Sequence, residues 1–420
     1  MTTQSPVLSP QSSRTSAEWM AAEQRVFIPM FRRVPVVLER GEGCRVWDPE
    51  GKEYLDLIAG IAVNALGHAH PVIQRALQEQ GAKLLQPSSL FYSIPQLELA
   101  ELLVKHSPLD RVFFCNSGAE ANEAALKLAR KWGREHRDGA FGIITADHGF
   151  HGRTLATVAA TGKPAYQQPF APMPEGFVHV PYDDMDALER AVDKSTAAVL
   201  LEPIQGEAGV HLPADNYLRD VQDLCRAKNV LFMLDEVQTG VGRLGTLWGF
   251  EQWGVQPDVM TLAKGLGGGV PIGALLVREE CAIFAPGDHG STFGGNALTC
   301  AVAAAVFRYI IEEGVLEHVR RIGALLKASL DNLRQQQPLV KEVRGLGLLL
   351  AVDLSADVAA DAVRTGLEEG VILNNTGPNT LRLAPPLIIT GAEVQEAVEK
   401  IGRVLSRLQE SALRDPAAAE

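Results

Sequence analysis

From residue 71 onward the chain alternates short, uninterrupted apolar runs with longer stretches whose apolar positions recur at helical spacing. The runs predict strands at Arg111 to Cys115, Phe141 to Ala146, Phe177 to Val180, Ala197 to Leu201, Val230 to Leu234, Asp258 to Leu262 and Gly273 to Val277. Helical stretches such as Ala119 to Trp132 and Tyr217 to Lys228 lie between them. Short apolar strands alternating with helices predict an α/β fold with a mostly parallel sheet flanked by helices in a large domain. In such sheets ligands sit beyond the carboxyl ends of the strands, so the residues just after each strand carry the functional interest.

The flanks read differently. Val34 to Leu38, Cys44 to Trp47 and Glu53 to Leu57 predict an antiparallel meander punctuated by Gly41-Glu42-Gly43 and Asp48-Pro49-Glu50-Gly51. Gly60 to Pro71 is a glycine-bounded loop before a helix that opens at Pro71. From Asn296 a long helical region runs to Leu333, with Gly314 and Gly323 as weak points. Strands are then expected from Lys341 to Val352, Val371 to Leu373 and Thr380 to Leu383, with helices near Asp357 to Glu369 and Ala392 to Gln409. The division expected is a disordered leader at 1–16, the first part of a small α+β domain at 17–70, the large domain at 71–315, the rest of the small domain at 316–411 and a flexible tail at 412–420.

Composition narrows the classes. Of 420 residues, 46% are hydrophobic and 21% charged, as in ordinary soluble globular proteins. A formal net charge of −12 argues against general nucleic-acid or anionic-membrane binding. The five scattered cysteines lack any C-x-x-C spacing, which points to reduced thiols in a cytoplasmic setting rather than a disulfide or zinc framework. No apolar run approaches the roughly 18 residues of a membrane span. His68 and His70 have a metal-ligand spacing but no acidic or cysteine neighbours, so polar contacts within the loop are the expectation and no metal is assigned.

Chemistry collects at the strand ends. After Cys115, Asn116-Ser117-Gly118-Ala119-Glu120 opens a helix; its amides suit a phosphate, and Ser117 with Glu120 equally suits a capping box. After Ala146, Phe150 and Arg153 sit in a glycine-bounded loop, as a stacking platform and carboxylate clamp or as a core residue and an ion-pair partner. Glu202 and Glu207 follow Leu201 as paired carboxylates or as a solvated face. Asp235 follows five apolar residues, so it is buried and needs a cationic partner. Lys264 ends another apolar run and precedes a glycine cluster: a Schiff-base nucleophile or a loop lysine.

A phosphate site, an aromatic platform, a buried carboxylate and a Schiff-base lysine together match the phosphate, ring face, ring nitrogen and aldehyde of pyridoxal 5′-phosphate. The sequence lacks the glycine fingerprints of nucleotide and dinucleotide sites.

The motifs Asn116 to Glu123, Phe150-His151-Gly152-Arg153-Thr154, Leu234 to Gly240 with Gly242-Arg243, and Lys264-Gly265 followed by Pro271-Ile272-Gly273 resemble the class III, ornithine-type aminotransferases over about residues 25 to 408. Within that class the chain is most similar to the acetylornithine group. The resemblance implies the fold-type I architecture and a ping-pong transfer of the terminal amine of N-acetylornithine to 2-oxoglutarate in arginine biosynthesis. Aminotransfer to a carrier-linked aminoadipate semialdehyde, to a succinyl-diaminopimelate precursor or from free ornithine stands as the alternative. Ile61 to Asn64 lacks the tyrosine found near that loop in ornithine enzymes.

The resemblance also implies roles. Lys264 would carry the Schiff base and shuttle protons, Asp235 would hold the ring nitrogen protonated, and Ser117, Gly118 and Ala119 would cradle the phosphate. Thr292 would reach that phosphate from the neighbouring subunit of a homodimer. Phe150 would stack on the ring, Glu202 would lie at the cofactor and Gln238 would bond its phenolic oxygen. Arg382 would bind the α-carboxylate of glutamate and Arg153 the second carboxylate, with Glu207 as a gate that neutralises Arg382. Asn64 and Ser291 would touch the substrate.

Overall fold

A computed structural model describes residues 14–414. The rest of the expected leader and tail, 1–13 and 415–420, lies outside the described residues. The seven strands expected in the large region form one sheet. From one edge to the other its order is Arg111–Cys115, Gly273–Val277, Val259–Leu262, Leu231–Asp235, Thr196–Leu201, Gly142–Ala146 and Phe177–Val180. Only Gly273–Val277 runs antiparallel to its neighbours, so the sheet is mostly parallel.

Strand side chains alternate between faces, and both faces here are apolar. Val199, Leu201, Phe232 and Leu234 belong to one buried cluster, whereas Ala198, Leu200, Leu231 and Met233 belong to the other. Helix Tyr217–Lys228 brings Leu218, Val221 and Cys225 to the first face. Helix Gly118–His136 brings Ala124, Ala125, Leu128 and Trp132 to the second. Because both faces are covered, only the strand ends stay open for ligands.

The chain ends build two smaller sheets. Arg40–Glu42, Arg45–Trp47 and Glu53–Asp56 form the expected meander, and Val371–Ile372 joins it parallel to Glu53–Asp56. Val34 to Leu38 is no strand, contrary to expectation. Pro35 removes a ladder donor, Val34 and Leu38 stay exposed, and the Val36 amide turns back to the Val34 carbonyl. The second sheet has the order Val340–Leu346, Leu349–Leu354, Thr380–Leu383, Asn374–Asn375.

The long helical region divides at Gly314, whose φ of 69° ends Ala297–Glu312 before Val315–Gln336 begins. Gly323 does not interrupt the second helix. It is a contact point: a Cβ there would lie 2.3 Å from the carbonyl oxygen of Gly347, in the turn of the Val340–Leu354 hairpin. The same turn meets the loop after Asp235. The Leu348 amide donates to the Arg243 carbonyl at 3.0 Å, and the buried Arg243 guanidinium donates to the carbonyls of Leu348 at 3.1 Å and Pro385 at 2.5 Å. Burial without a carboxylate lowers the Arg243 pKa to about 9.

Gly323→Ala is expected to lower the thermal midpoint through overpacking worth about 1–3 kcal/mol. Gly81→Ala, at a helical site where a Cβ meets nothing within 4 Å, should leave the midpoint unchanged or raise it slightly. Equal midpoints for the two variants would contradict the tight Gly323–Gly347 contact.

Candidate active site

Lys264 owes its position to a fully buried strand. Val259–Leu262 runs through the sheet, and the backbone then turns sharply, with Lys264 at a φ of 44°. Such a left-handed lysine is unusual and persists only where the surroundings fix it. The turn closes on Gly267, where a Cβ would lie 2.1 Å from the Val270 carbonyl oxygen. The Lys264 side chain is partly buried at a cavity of about 390 Å³ also lined by Ser117, Gly118, Phe150, Asp235 and Gln238. Burial lowers the Lys264 pKa and outweighs the opposing carboxylates of Glu207, Asp235 and Glu202.

Asp235 ends the adjacent strand and is 4% exposed. Its Oδ2 accepts from Asn122 Nδ2 at 2.7 Å and faces His151 Nδ1 at 2.8 Å. Asn122 Nδ2 also donates to the His151 carbonyl at 2.7 Å, and Asn122 Oδ1 accepts from the Thr261 hydroxyl at 2.7 Å. Burial alone would lower the His151 pKa. The hydrogen bond and charge of Asp235, with Glu202 behind it, raise it instead, which favours the charged imidazole beside the buried carboxyl group. Glu202, 7% exposed, accepts from the Phe150 amide at 3.0 Å, and burial pushes its pKa up to about 7.

The helix end at Ser117 is open toward the cavity. Ser117 Oγ accepts from the Glu120 amide at 3.2 Å, the first half of a capping box. The second half is absent, because Glu120 turns to the amide and side chain of Asn116, at 2.5 and 2.9 Å. Gly118 and Ala119 then lead the first turn of a 19-residue helix, where amides lack helical acceptors and the dipole favours an anion.

Glu202 and Glu207, possible partners by spacing, part company. Glu207 pairs with Nη1 of Arg382, which is 2% exposed and reaches the site from the strand Thr380–Leu383. Gln238 Nε2 also donates to Glu207 at 3.4 Å. Burial works to raise the Glu207 pKa, but Arg382, Lys264 and Lys163 hold it at about 2. Asn374, directly across the strand pair, accepts from Arg382 Nη2 at 2.6 Å and Nε at 3.2 Å.

The remaining expected residues lie around this centre. Arg153 is exposed, with its guanidinium 3.6 Å from the Tyr166 ring centroid and 5.5 Å from that of Phe150. Asn64 flanks Gly269 on the cavity wall. Ser291 accepts from Asn116 Nδ2 at 3.1 Å. Ser291 and the exposed Thr292 line a neighbouring hollow with Asn116 rather than the cavity of Lys264.

Sequence reasoning missed Asn122, His151 and Asn374 as polar partners. Asn122 had a signal, a lone amide on an otherwise apolar helix face. Asn374 had none, because its strand is only two residues long.

The cavity fits pyridoxal phosphate by its donor set: an open helix end for the phosphate, a ring-sized space beside Phe150, a buried carboxylate and a lysine with a lowered pKa.

Glu202 supplies a pH test. Its folded pKa of about 7 lies above the ordinary 4.5, so the folded state holds a proton that the unfolded chain releases earlier. Its contribution to stability therefore falls as pH rises from about 4.5 to about 7, by on the order of 3 kcal/mol. Glu202→Gln should remove that slope; thermal midpoints of variant and parent that stay parallel between pH 5 and 7.5 would count against a buried, proton-retaining Glu202.

Relatives agree with the geometry. The family model for Aminotransferase class-III matches residues 29–405. An acetylornithine aminotransferase of Gloeobacter violaceus is 52% identical over 391 residues, covering 92% of this chain and 97% of the relative. A solved ornithine aminotransferase of Toxoplasma gondii, with pyridoxal phosphate in partial occupancy at its active site, superposes with a TM-score of 0.92 at 36% identity, covering 96% of each chain. An N-acetylornithine aminotransferase of Stenotrophomonas maltophilia K279a superposes with a TM-score of 0.81 at 38% identity, covering 93% of this chain and 100% of the other. With the family match running through the sheet, the lysine turn and the arginine hairpin alike, this chain belongs to the class-III aminotransferases and is a pyridoxal-phosphate-dependent enzyme.

Proposed function

We propose that this aminotransferase moves the terminal amine of N-acetylornithine to 2-oxoglutarate, giving N-acetylglutamate semialdehyde and glutamate. The observation that carries the reading is the Glu207–Arg382 pair at the edge of the Lys264 site. Glutamate reacts at the carbon next to its carboxylate, so it needs a cation close to the reacting centre. N-Acetylornithine reacts at its far end, where the same cation would be left buried and uncompensated. An acid that pairs with Arg382 for one substrate and withdraws for the other serves both. Relatives bearing the acetylornithine name at 45–52% identity support the choice of substrate.

When bound, pyridoxal phosphate supplies an aldehyde that accepts an amine and a ring that draws electrons from the carbon losing its proton. The helix end at Ser117, Gly118 and Ala119 would hold the phosphate, Phe150 the ring face, Gln238 the phenolic oxygen and Asp235 the ring nitrogen. Asp235 is held in place for that task by Asn122 and His151, which both meet its Oδ2. Glu202 sets the field behind His151. The lowered pKa makes Lys264 Nζ available to take a proton from the substrate carbon and return it. Arg153, poised over Tyr166, would receive the second carboxylate, and Asn64 and Ser291 would border the substrate.

Thr292 supports a homodimer. It is exposed in a hollow beside, not within, the Lys264 cavity, which suits a Thr292 that reaches the phosphate of a second subunit. Among the described residues, no helix is long and apolar enough to cross a membrane.

Borohydride treatment of the holoenzyme should attach the cofactor to Lys264; a peptide map with Lys264 unmodified would sink this mechanism. With 2-oxoglutarate as acceptor, kcat/KM for N-acetylornithine should exceed that for ornithine by at least tenfold, on the scale of a lost polar contact; a preference for ornithine would reassign the substrate. Arg382→Ala should slow the glutamate half-reaction roughly 10²-fold more than the acetylornithine half-reaction, and equal losses would count against the gate.

A further inference from the structure

The hairpin that carries Arg382 also carries a second group aimed at it. Asn374 and Arg382 are directly opposed across an antiparallel pair, where facing side chains are close enough to bond. Asn374 Oδ1 accepts from both Nε and Nη2 of the guanidinium, at 3.2 and 2.6 Å. A guanidinium offers a carboxylate two two-pronged edges, Nε with Nη2 or Nη1 with Nη2. Asn374 occupies the first. Glu207 holds Nη1, one prong of the second, with the Gly206 carbonyl and Gln238 Oε1 at 3.4 Å as further acceptors around Nη1.

We propose that Asn374 is the positioning residue that makes the gate exclusive, by filling one edge of Arg382 so that Glu207 and an incoming carboxylate must compete for the other. This inference rests on the gate described above and adds what enforces it. Without Asn374, the Nε–Nη2 edge would be free to take a carboxylate while Glu207 stayed in place. The site would then carry two anions on one arginine, and the dicarboxylate would no longer need to displace Glu207. As a neutral acceptor, Asn374 orients Arg382 without discharging it, which leaves the full charge for the substrate.

The test is a double-mutant cycle on the holoenzyme, titrated calorimetrically with glutarate, a dicarboxylate that has no amine to transfer. In the parent, Glu207→Ala should tighten glutarate roughly tenfold by removing the competitor. In an Asn374→Ala background the same substitution should change glutarate affinity by less than about twofold, the range expected of uncoupled sites. Asn374→Ser should behave as Asn374→Ala and covers the case in which that variant folds poorly. Asn374→Asp keeps an acceptor on the same edge and should restore the Glu207 effect, with weaker glutarate binding overall because Arg382 is then neutralised. Equal tightening by Glu207→Ala with and without Asn374 would overturn the proposal. A parent in which neither Glu207→Ala nor Arg382→Ala alters glutarate affinity would overturn the gate itself.

Discussion

The site depends on how Asp235 is bonded where water is excluded. A carboxyl group at 4% exposure is costly to bury unless its oxygens are hydrogen-bonded. Three elements meet to supply those bonds: Asn122 from a helix, His151 from the loop after Gly142–Ala146, two places away in the sheet, and Thr261 from the adjacent strand acting through Asn122. Each partner is itself bonded, so the network is satisfied from end to end and rotates little. Lys264 then follows on the strand next door, at a distance that the pairing of Asp235 with Thr261 sets. Asp235 and the strand that leads to Lys264 thus share one register.

The proposed gate pair poses the opposite electrostatic problem. Arg382 is as buried as the acid network, but in that proposal its partner must be able to leave. Glu207 meets this requirement by being only partly covered, with a quarter of its side chain exposed, and by sitting on a short turn rather than a strand. The two acids feel each other, since the charge of Glu207 helps to raise the Glu202 pKa, but their surroundings differ. Glu202 faces His151 and tends to hold a proton near neutrality, whereas Arg382, Lys264 and Lys163 keep Glu207 ionised.

The fold was legible because its central strands are apolar on both faces, and a continuous apolar run survives reading without a partner. Lys264 and Asp235 were legible for a related reason: a charged residue at the end of such a run has few explanations. Asn122 and His151 were not, because their meaning lies in contacts across 113 and 84 residues of sequence that no local pattern encodes. The false strand at Val34 to Leu38 has a local cause instead: the run is apolar, but Pro35 lacks a ladder donor and the Val36 amide is spent on the Val34 carbonyl. Gly314 and Gly323 looked alike in sequence. One breaks a helix through its backbone angle and the other admits a carbonyl, a difference visible only in what each glycine faces.

The hairpin of Asn374–Asn375 and Thr380–Leu383 carries Arg382, the proposed carboxylate reader, while the seven-stranded sheet leads to Asp235 and Lys264, the proposed reaction centre. These are separate pieces of covalent chain joined by the buried Arg243, which donates only to backbone carbonyls of the hairpin side, Leu348 and Pro385. A clasp made to main-chain atoms is indifferent to side-chain identity. The hold of Arg243 on Leu348 and Pro385 therefore calls on neither of their side chains, only on the path of the backbone.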